Sequence, residues 1–215
     1  MKYQDNINAV ASLQPDYLGF IFHKSSPRNF DGIIPKLPEK VEKVGVFVDM
    51  PIKVIIEKLN LYHFDMLQLH GKETTTYIKD LIKCITDSGV KFPQITKVFS
   101  IKDKFDFSVL EPYESICDYF LFDTKGKHPG GNGYTFNWNI LNNYTSTKPF
   151  ILSGGIGLDQ IDKLKEFQNS KASKYCYAID VNSKFEIEPG LKNIEELKNF
   201  KNNICHVEHN RDISS

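Results

Sequence analysis

The chain has 215 residues, of which 40% are hydrophobic, and this length is enough for one well-buried domain. Its 27 Lys and Arg residues balance its 27 Asp and Glu residues, so the concentrated basic face of a nucleic-acid-binding protein is not expected. No apolar run approaches the roughly 18 to 20 residues that a membrane-spanning helix requires, and the start lacks the apolar core of a signal peptide.

The sequence contains seven short apolar runs, and most of them are followed by a segment whose apolar residues have helical spacing. The runs are Tyr17–Phe22, Val44–Val48, Met66–Leu69, Ile95–Phe99, Tyr119–Phe122, Phe150–Leu152 and Tyr177–Asp180. Continuous hydrophobic strands of this length are typical of parallel sheets that are covered on both faces. Residues 52–59 and 158–164 have apolar side chains three and four apart. The sequence therefore predicts repeated βα units.

The chain begins with a helical pattern over residues 5–13, for which Asp5 is the expected N-cap, and no strand precedes it. A closed (β/α)8 barrel requires eight strands, so we predict a TIM barrel whose first strand is missing from this chain. An open doubly wound sheet, which tolerates any strand number, is the alternative. We expect one domain over residues 1–215, with a frayed polar tail over 202–215.

The four cysteines are widely spaced and include no Cys-x-x-Cys pair: Cys84, Cys117, Cys176 and Cys205. This spacing fits neither a disulfide framework nor a zinc site. We therefore expect reduced, buried thiols, a cytoplasmic location and no metal ion.

Candidate site residues follow the apolar runs, because the active site of a βα-barrel lies at the carboxyl ends of its strands. Asp123 follows the fifth run, where partial burial would suit a general acid, although a helix cap or loop hydrogen bond explains the position equally well. Arg28, in the loop after the first run, is able to pair with a carboxylate through two hydrogen bonds. His70, after the third, could be catalytic, structural or a loop hydrogen-bonder.

Two glycine-rich stretches follow later runs. Gly154 and Gly155 precede the helical segment that begins near Leu158, so their backbone N–H groups could approach a phosphate at a helix N-terminus. A turn that merely needs glycine is the alternative. Residues 130–133 lack the spacing of a dinucleotide fingerprint, and we interpret them as part of a mobile loop over the active site.

Motifs in a fixed order along residues 17–200 resemble the phosphoribosylanthranilate isomerase family of tryptophan biosynthesis, whose fold is a (β/α)8 barrel. The motifs are Leu18–Phe22 with Ser26-Pro-Arg28, Val44–Val48, Leu67–Gly71, Phe122–Thr124, Gly130–Phe136 with Trp138, Ile151–Gly155, and Asp180–Ser183 through Glu186 to Pro189-Gly190. The resemblance implies an aldose–ketose isomerase that performs an Amadori rearrangement of N-(5-phosphoribosyl)anthranilate without a metal or an organic cofactor.

The resemblance also implies roles for the candidate residues. Asp123 matches the general acid that protonates the furanose ring oxygen, Arg28 is expected to face the anthranilate end, and His70 lines the site. The phosphate is expected at Gly154, Gly155, Asn182 and Ser183. The implied partner is a small phosphorylated substrate, with no nucleic acid or membrane, and the protein is expected to be a monomer or a homodimer.

One part of the family pattern is not found. The general base of the family is a cysteine in a Lys-x-Cys-Gly motif at the end of the first strand, and Met1 falls about where the residue after Cys-Gly would lie. The chain as printed is therefore expected to have little activity. A non-catalytic barrel that binds phosphorylated ligands is the alternative function, and indole-glycerol-phosphate synthase, whose Lys/Glu-rich catalytic pattern is not found, is a third.

Overall fold

The computed structural model describes residues 1–102, 104–124 and 135–208, with side chains up to residue 204. Its main sheet consists of β1 (Tyr17–Phe22), β2 (Glu42–Phe47), β3 (Met66–Leu69), β4 (Gln94–Ile101), β5 (Tyr119–Thr124), β6 (Phe150–Leu152) and β7 (Cys176–Ile179). Each strand pairs in parallel with the next, so all seven carboxyl ends lie at one edge. The strand order has no reversal, whereas a doubly wound sheet has one, and that alternative is therefore wrong.

The helices are less regular than those of an ideal barrel. They are α1 (Gln4–Ser12), α2 (Ile52–Tyr62), α3 (Thr75–Ser88), α4 (Ile161–Gln168) and α5 (Ile194–Glu208). Short 3₁₀ helices, Phe107–Tyr113 and Trp138–Asn143, follow β4 and β5 instead, and the first of them contains Pro112. Proline opposes an α-helix because it lacks the N–H group and clashes with the preceding turn. An antiparallel hairpin of β8 (Glu186–Glu188) and β9 (Leu191–Lys192) follows β7.

The two faces of the main sheet pack into separate apolar clusters. One cluster, between sheet and helices, contains Phe20, Phe47, Phe120 and Phe150, which are fully buried. The other consists of side chains from the opposite face of every strand: Tyr17, Ile21, Val44, Val46, Met66, Val98, Tyr119, Leu121, Ile151 and Ala178. The sheet must be curled, because residues from all seven strands meet in this one small interior cluster.

Strands β1 and β7 are the two edges of the sheet, and the strand pairings of the described residues do not join them. Side chains connect them instead. At the amino-terminal end, Tyr17 Oη and Tyr177 Oη lie 3.0 Å apart. At the carboxyl end, Arg28 after β1 forms an ion pair with Glu186 after β7, at 2.6 Å between Nη2 and Oε2. The curled sheet is therefore held closed by side-chain contacts.

One prediction about the start of the chain needs correction. Asp5 is not the N-cap of α1, because the helix begins one residue earlier, after Tyr3, and Asp5 lies in the first turn, where its charge favours the helix dipole. Helix α5 continues through Glu208, and its residues Phe200 and Ile204, four apart, both pack against the core. The frayed tail over 202–215 stays a prediction. Residues 209–215 lie outside the described residues.

The cysteines provide a test of this packing. Cys117 is buried before β5, and burial raises the pKa of its thiol from 9.0 to about 12, whereas Cys84, which was expected to be buried, is exposed on α3. Because the thiolate is the reactive form, we expect iodoacetamide to alkylate Cys117 at least about a hundredfold more slowly than Cys84. Peptide mass spectrometry over a time course measures both rates, with the denatured protein as control. Similar rates in the folded protein would contradict the burial of Cys117.

Candidate active site

Asp123 lies at the carboxyl end of β5 and faces the interior of the curled sheet. It alternates with Tyr119 and Leu121, which belong to the interior cluster. Its side chain is 24% exposed, and its Oδ2 atom lies 3.4 Å from Nε2 of His70. The structure thus brings together two of the predicted site residues, which come from β5 and from the loop after β3.

The ring of His70 is held on its other side by Gln68. The Nε2 atom of Gln68 lies 3.2 Å from Nδ1 of His70, and the backbone N–H of His70 donates to the carbonyl oxygen of Phe47 at 2.8 Å. An amide NH₂ is a donor, so Nδ1 accepts and the Nε2–H group faces Asp123. Gln68, His70 and Asp123 therefore form a chain of polar contacts across the carboxyl edge of the sheet.

A buried ion pair fixes the loop that carries His70. Lys97 Nζ lies 3.0 Å from Oε2 of Glu73, and the two side chains are only 4% and 1% exposed. Lys97 also donates to the carbonyl oxygen of Gly71 at 2.8 Å, and Glu73 accepts from the Gly71 N–H at 2.9 Å and from the Asp49 N–H at 2.9 Å. Sequence reasoning missed this pair, because nothing in the apolar run containing Lys97 indicates a partner 24 residues away.

Gly154 and Gly155 pass directly over the end of β5. Their φ angles are +90° and +71°, a region that side-chain-bearing residues rarely adopt. A Cβ atom on Gly154 would lie 2.5 Å from Oγ1 of Thr124 and 2.6 Å from Oδ1 of Asp123. Only glycine fits this backbone, and the predicted phosphate-binding turn therefore lies against the predicted acid.

A second carboxylate, which the prediction of site residues did not include, lies close to the first. Asp180 directly follows β7, and its Oδ2 atom accepts a hydrogen bond from Ser153 Oγ at 2.7 Å. Burial raises the pKa of Asp180, and the nearby charge of Asp123 raises it further, although the Ser153 hydrogen bond opposes both effects. The position could have been identified from the sequence, because Asp180 ends an apolar run much as Asp123 follows one.

Arg28 and Asn182 are connected through two charged residues that were not predicted as site residues. Arg28 donates from Nε and Nη2 to Oε2 of Glu186, at 2.8 and 2.6 Å. Lys192 Nζ donates to Oε1 of Glu186 at 3.0 Å, to the carbonyl oxygen of Asn182 at 2.9 Å, and also to Oδ1 of Asn182. Ser183 begins the 3₁₀ helix that follows Asn182. The residues predicted for the two ends of the substrate thus share one polar network.

Several predictions concern groups at or beyond the margins of this site. The glycine-rich loop with residues 130–133 lies outside the described residues. Cys84 lies on α3, Cys117 precedes β5 and Cys176 begins β7, so none of these three thiols lies at the carboxyl edge. Within residues 1–102, 104–124 and 135–204, no group of three His, Cys, Asp or Glu side chains is arranged to hold a metal ion.

Comparison with known proteins identifies the family. A family model described as N-(5'-phosphoribosyl)anthranilate (PRA) isomerase matches residues 1–203. The chain belongs to this family. The N-(5'-phosphoribosyl)anthranilate isomerase of Parabacteroides distasonis is 38% identical to it over 216 residues, which cover 96% of this chain and 91% of that protein. The predicted family and the predicted class, an isomerase of tryptophan biosynthesis, are confirmed, and the non-catalytic alternative is not favoured.

Solved structures support the fold. The phosphoribosyl anthranilate isomerase of Thermus thermophilus matches with a TM-score of 0.77 at 20% identity, over 96% of both chains. A phosphoribosyl anthranilate isomerase in complex with reduced 1-(o-carboxyphenylamino)-1-deoxyribulose 5-phosphate matches with a TM-score of 0.70 at 22% identity, over 94% of both chains. The predicted β/α-barrel fold is thereby confirmed. Among the helices of the described residues, none is long and apolar enough to cross a membrane.

The close approach of Gly154 to Asp123 predicts the effect of a single methyl group. In the variant Gly154→Ala, the new Cβ must displace the Asp123 carboxylate and Thr124, so we expect at least a roughly tenfold loss of kcat together with a loss of stability above the usual ~1–2 kcal/mol for a left-handed residue. Steady-state kinetics and thermal unfolding measure the two effects.

Gly89 provides a matched control. It also has a positive φ, +71°, but a Cβ there would meet nothing within 4 Å. Gly89→Ala should therefore lose only about 1–2 kcal/mol of stability, because of the backbone strain, and keep the kcat of the parent protein. Equal kcat values for the two variants would show that the Gly154 turn does not position Asp123.

Proposed function

We propose that the protein catalyses the Amadori rearrangement of N-(5'-phosphoribosyl)anthranilate with Asp123 as its general acid, while the sequence as printed, without the base motif, is expected to have little activity. The observation that carries the proposal is the position of Asp123, partly exposed at the carboxyl edge between His70 and the Gly154 backbone. A general acid must be reachable by the substrate and also be held in one orientation, and this position meets both requirements.

The acid step follows from the contacts of Asp123. Its carboxyl proton passes to the furanose ring oxygen, the bond between that oxygen and the anomeric carbon breaks, and the nitrogen lone pair forms the Schiff base. The carboxylate that remains lies 3.4 Å from Nε2 of His70, which is placed to stabilise the new negative charge. In the resembled family a Cys-Gly motif supplies the base, and the printed sequence does not contain it, so the proposal assigns the acid step alone.

The remaining predicted residues are proposed to bind the two anionic ends of the substrate. Arg28 is assigned to the anthranilate carboxylate, because a guanidinium group pairs well with carboxylates. Backbone N–H groups of Gly154 and Gly155, with Asn182 and Ser183, are assigned to the phosphate. We further propose a cytoplasmic enzyme without a metal or organic cofactor, a monomer or homodimer that binds no nucleic acid, in line with its zero net charge.

The variant Asp123→Asn tests the acid step. Asn keeps the shape of the side chain, but its amide is far too weak an acid to transfer a proton to the ring oxygen, so kcat should fall by about 10²- to 10⁴-fold while KM changes little. Conversion of N-(5'-phosphoribosyl)anthranilate by the native protein and the variant measures both constants.

The matched control is Asp118→Asn, at the opposite end of the same strand. Asp118 accepts a hydrogen bond from the Ile95 N–H at 2.7 Å and lies away from the carboxyl edge. Asn keeps an acceptor oxygen but loses the negative charge of this hydrogen bond. Stability should therefore fall by roughly 1 kcal/mol, and kcat should stay within about threefold of the parent value. A kcat for Asp123→Asn as high as that of Asp118→Asn would exclude Asp123 as the acid.

A further inference from the structure

The carboxyl edge contains a buried ion pair that the proposed chemistry does not use. Glu186 begins β8, Lys192 ends β9, and the distance between Oε1 and Nζ is 3.0 Å. Their side chains are only 4% and 7% exposed. Although burial alone raises the pKa of Glu186, the hydrogen bonds from Arg28 and the charge of Lys192 bring it below its usual range. Burial lowers the pKa of Lys192, and the charge of Glu186 opposes this effect. Each member of the pair has a further polar partner.

Glu186 fixes the guanidinium group of Arg28. The Nε atom of Arg28 lies within 3.0 Å of both carboxylate oxygens, and Nη2 donates to Oε2 at 2.6 Å. Two parallel N–H bonds fix the plane of a guanidinium group as well as its position. These bonds occupy the Nε–Nη2 edge, so Nη1 is the nitrogen that does not bond to Glu186.

Lys192 fixes the side-chain amide of Asn182. An ammonium group only donates, so its contacts with the carbonyl oxygen and with Oδ1 of Asn182 turn both oxygens towards Lys192. The NH₂ group of Asn182 therefore points away from Lys192 as a donor. The backbone of Lys192 is itself anchored, since Asn6 Nδ2 donates to its carbonyl oxygen at 2.9 Å and its N–H donates to Asn6 Oδ1 at 2.7 Å.

We propose that the Glu186–Lys192 ion pair is a positioning element for the isomerase, which presets Arg28 for a substrate carboxylate and Asn182 for a substrate phosphate. The inference rests on the proposed function for the identity of the two anions. Arg28 and Lys192 bring two basic groups to the single carboxylate of Glu186, with the carboxyl group of Asp180 also close to Lys192, and the Arg28 and Asn182 donors that they leave are suited to an anionic ligand. Neither Glu186 nor Lys192 needs to touch the substrate.

Two single variants test the roles of Glu186 and Lys192 one at a time. Glu186→Gln should weaken the binding of anthranilate by about tenfold and leave the binding of inorganic phosphate nearly unchanged. Lys192→Met should have the opposite pattern, with phosphate affinity reduced by about tenfold. Isothermal titration calorimetry with each anion measures these affinities. For the full reaction, both variants should raise KM by about tenfold with kcat within about threefold, because they alter binding rather than the acid.

The chain offers a matched control in its other buried Lys–Glu pair. Lys97 and Glu73 have the same 3.0 Å separation and similar burial, but they contact neither Arg28 nor Asn182. Lys97→Met and Glu73→Gln should therefore lower the melting temperature as much as the test variants and leave both anion affinities unchanged. Their kcat is not part of the control, because this pair fixes the loop of His70. If a single variant does not fold, the double variant Glu186→Gln with Lys192→Met removes both charges together and should weaken the binding of both anions.

The outcomes are distinct. If the test variants lose only stability, like the control pair, and keep both affinities and KM, the pair is merely structural and the inference is wrong. If the native protein does not convert the substrate but each variant loses affinity only for its expected anion, the proposed function fails while the positioning role stands. Conversion by the native protein with unchanged KM in both variants would leave the function intact and overturn the inference.

Discussion

The carboxylate of Glu186 joins the two edges of the curled sheet at the end where the candidate site lies. Arg28 follows β1, and Glu186 lies in the hairpin after β7, so their ion pair connects two segments that are 158 residues apart and flank opposite edges of the sheet. Lys192, in the same hairpin, bonds to the same carboxylate. At the other end of the sheet, the hydroxyl groups of Tyr17 and Tyr177 make the equivalent connection. The closure of the sheet matters for the candidate site, because the residues after β3 and those after β7 would lie far apart at the edge of a flat sheet.

Curvature of the sheet also creates the electrostatics of the site. The side chain of Asp180 comes close enough to Asp123 for the two carboxylates to interact, and burial together with this interaction raises the pKa of Asp180. Arg28 after β1 and Lys192 in the hairpin after β7 supply positive charge. A net-neutral protein thus has negative and positive groups arranged side by side at one edge, an arrangement suited to a substrate with anionic ends and a reaction that moves protons.

Much of this arrangement could be predicted from the sequence, and the remainder depends on contacts that sequence patterns do not encode. The bounds of β1, β3 and β6 are those of the apolar runs, because turn residues and polar residues delimit these runs sharply. Asp123 and Gly154 were found because they lie within two residues of the ends of apolar runs. Residues whose role depends on distant partners, such as Lys192, could not be found in this way, and the 3₁₀ helices after β4 and β5 were not anticipated.

The most direct measurement is a crystal structure of this protein with reduced 1-(o-carboxyphenylamino)-1-deoxyribulose 5-phosphate, the ligand seen in a structural neighbour. The account predicts the phosphate on the N–H groups of Gly154 and Gly155 beside Asn182, the aromatic carboxylate on Arg28, and a sugar oxygen within hydrogen-bond distance of Asp123. A ligand bound away from the carboxyl edge, or bound there with its sugar out of reach of Asp123, would contradict it.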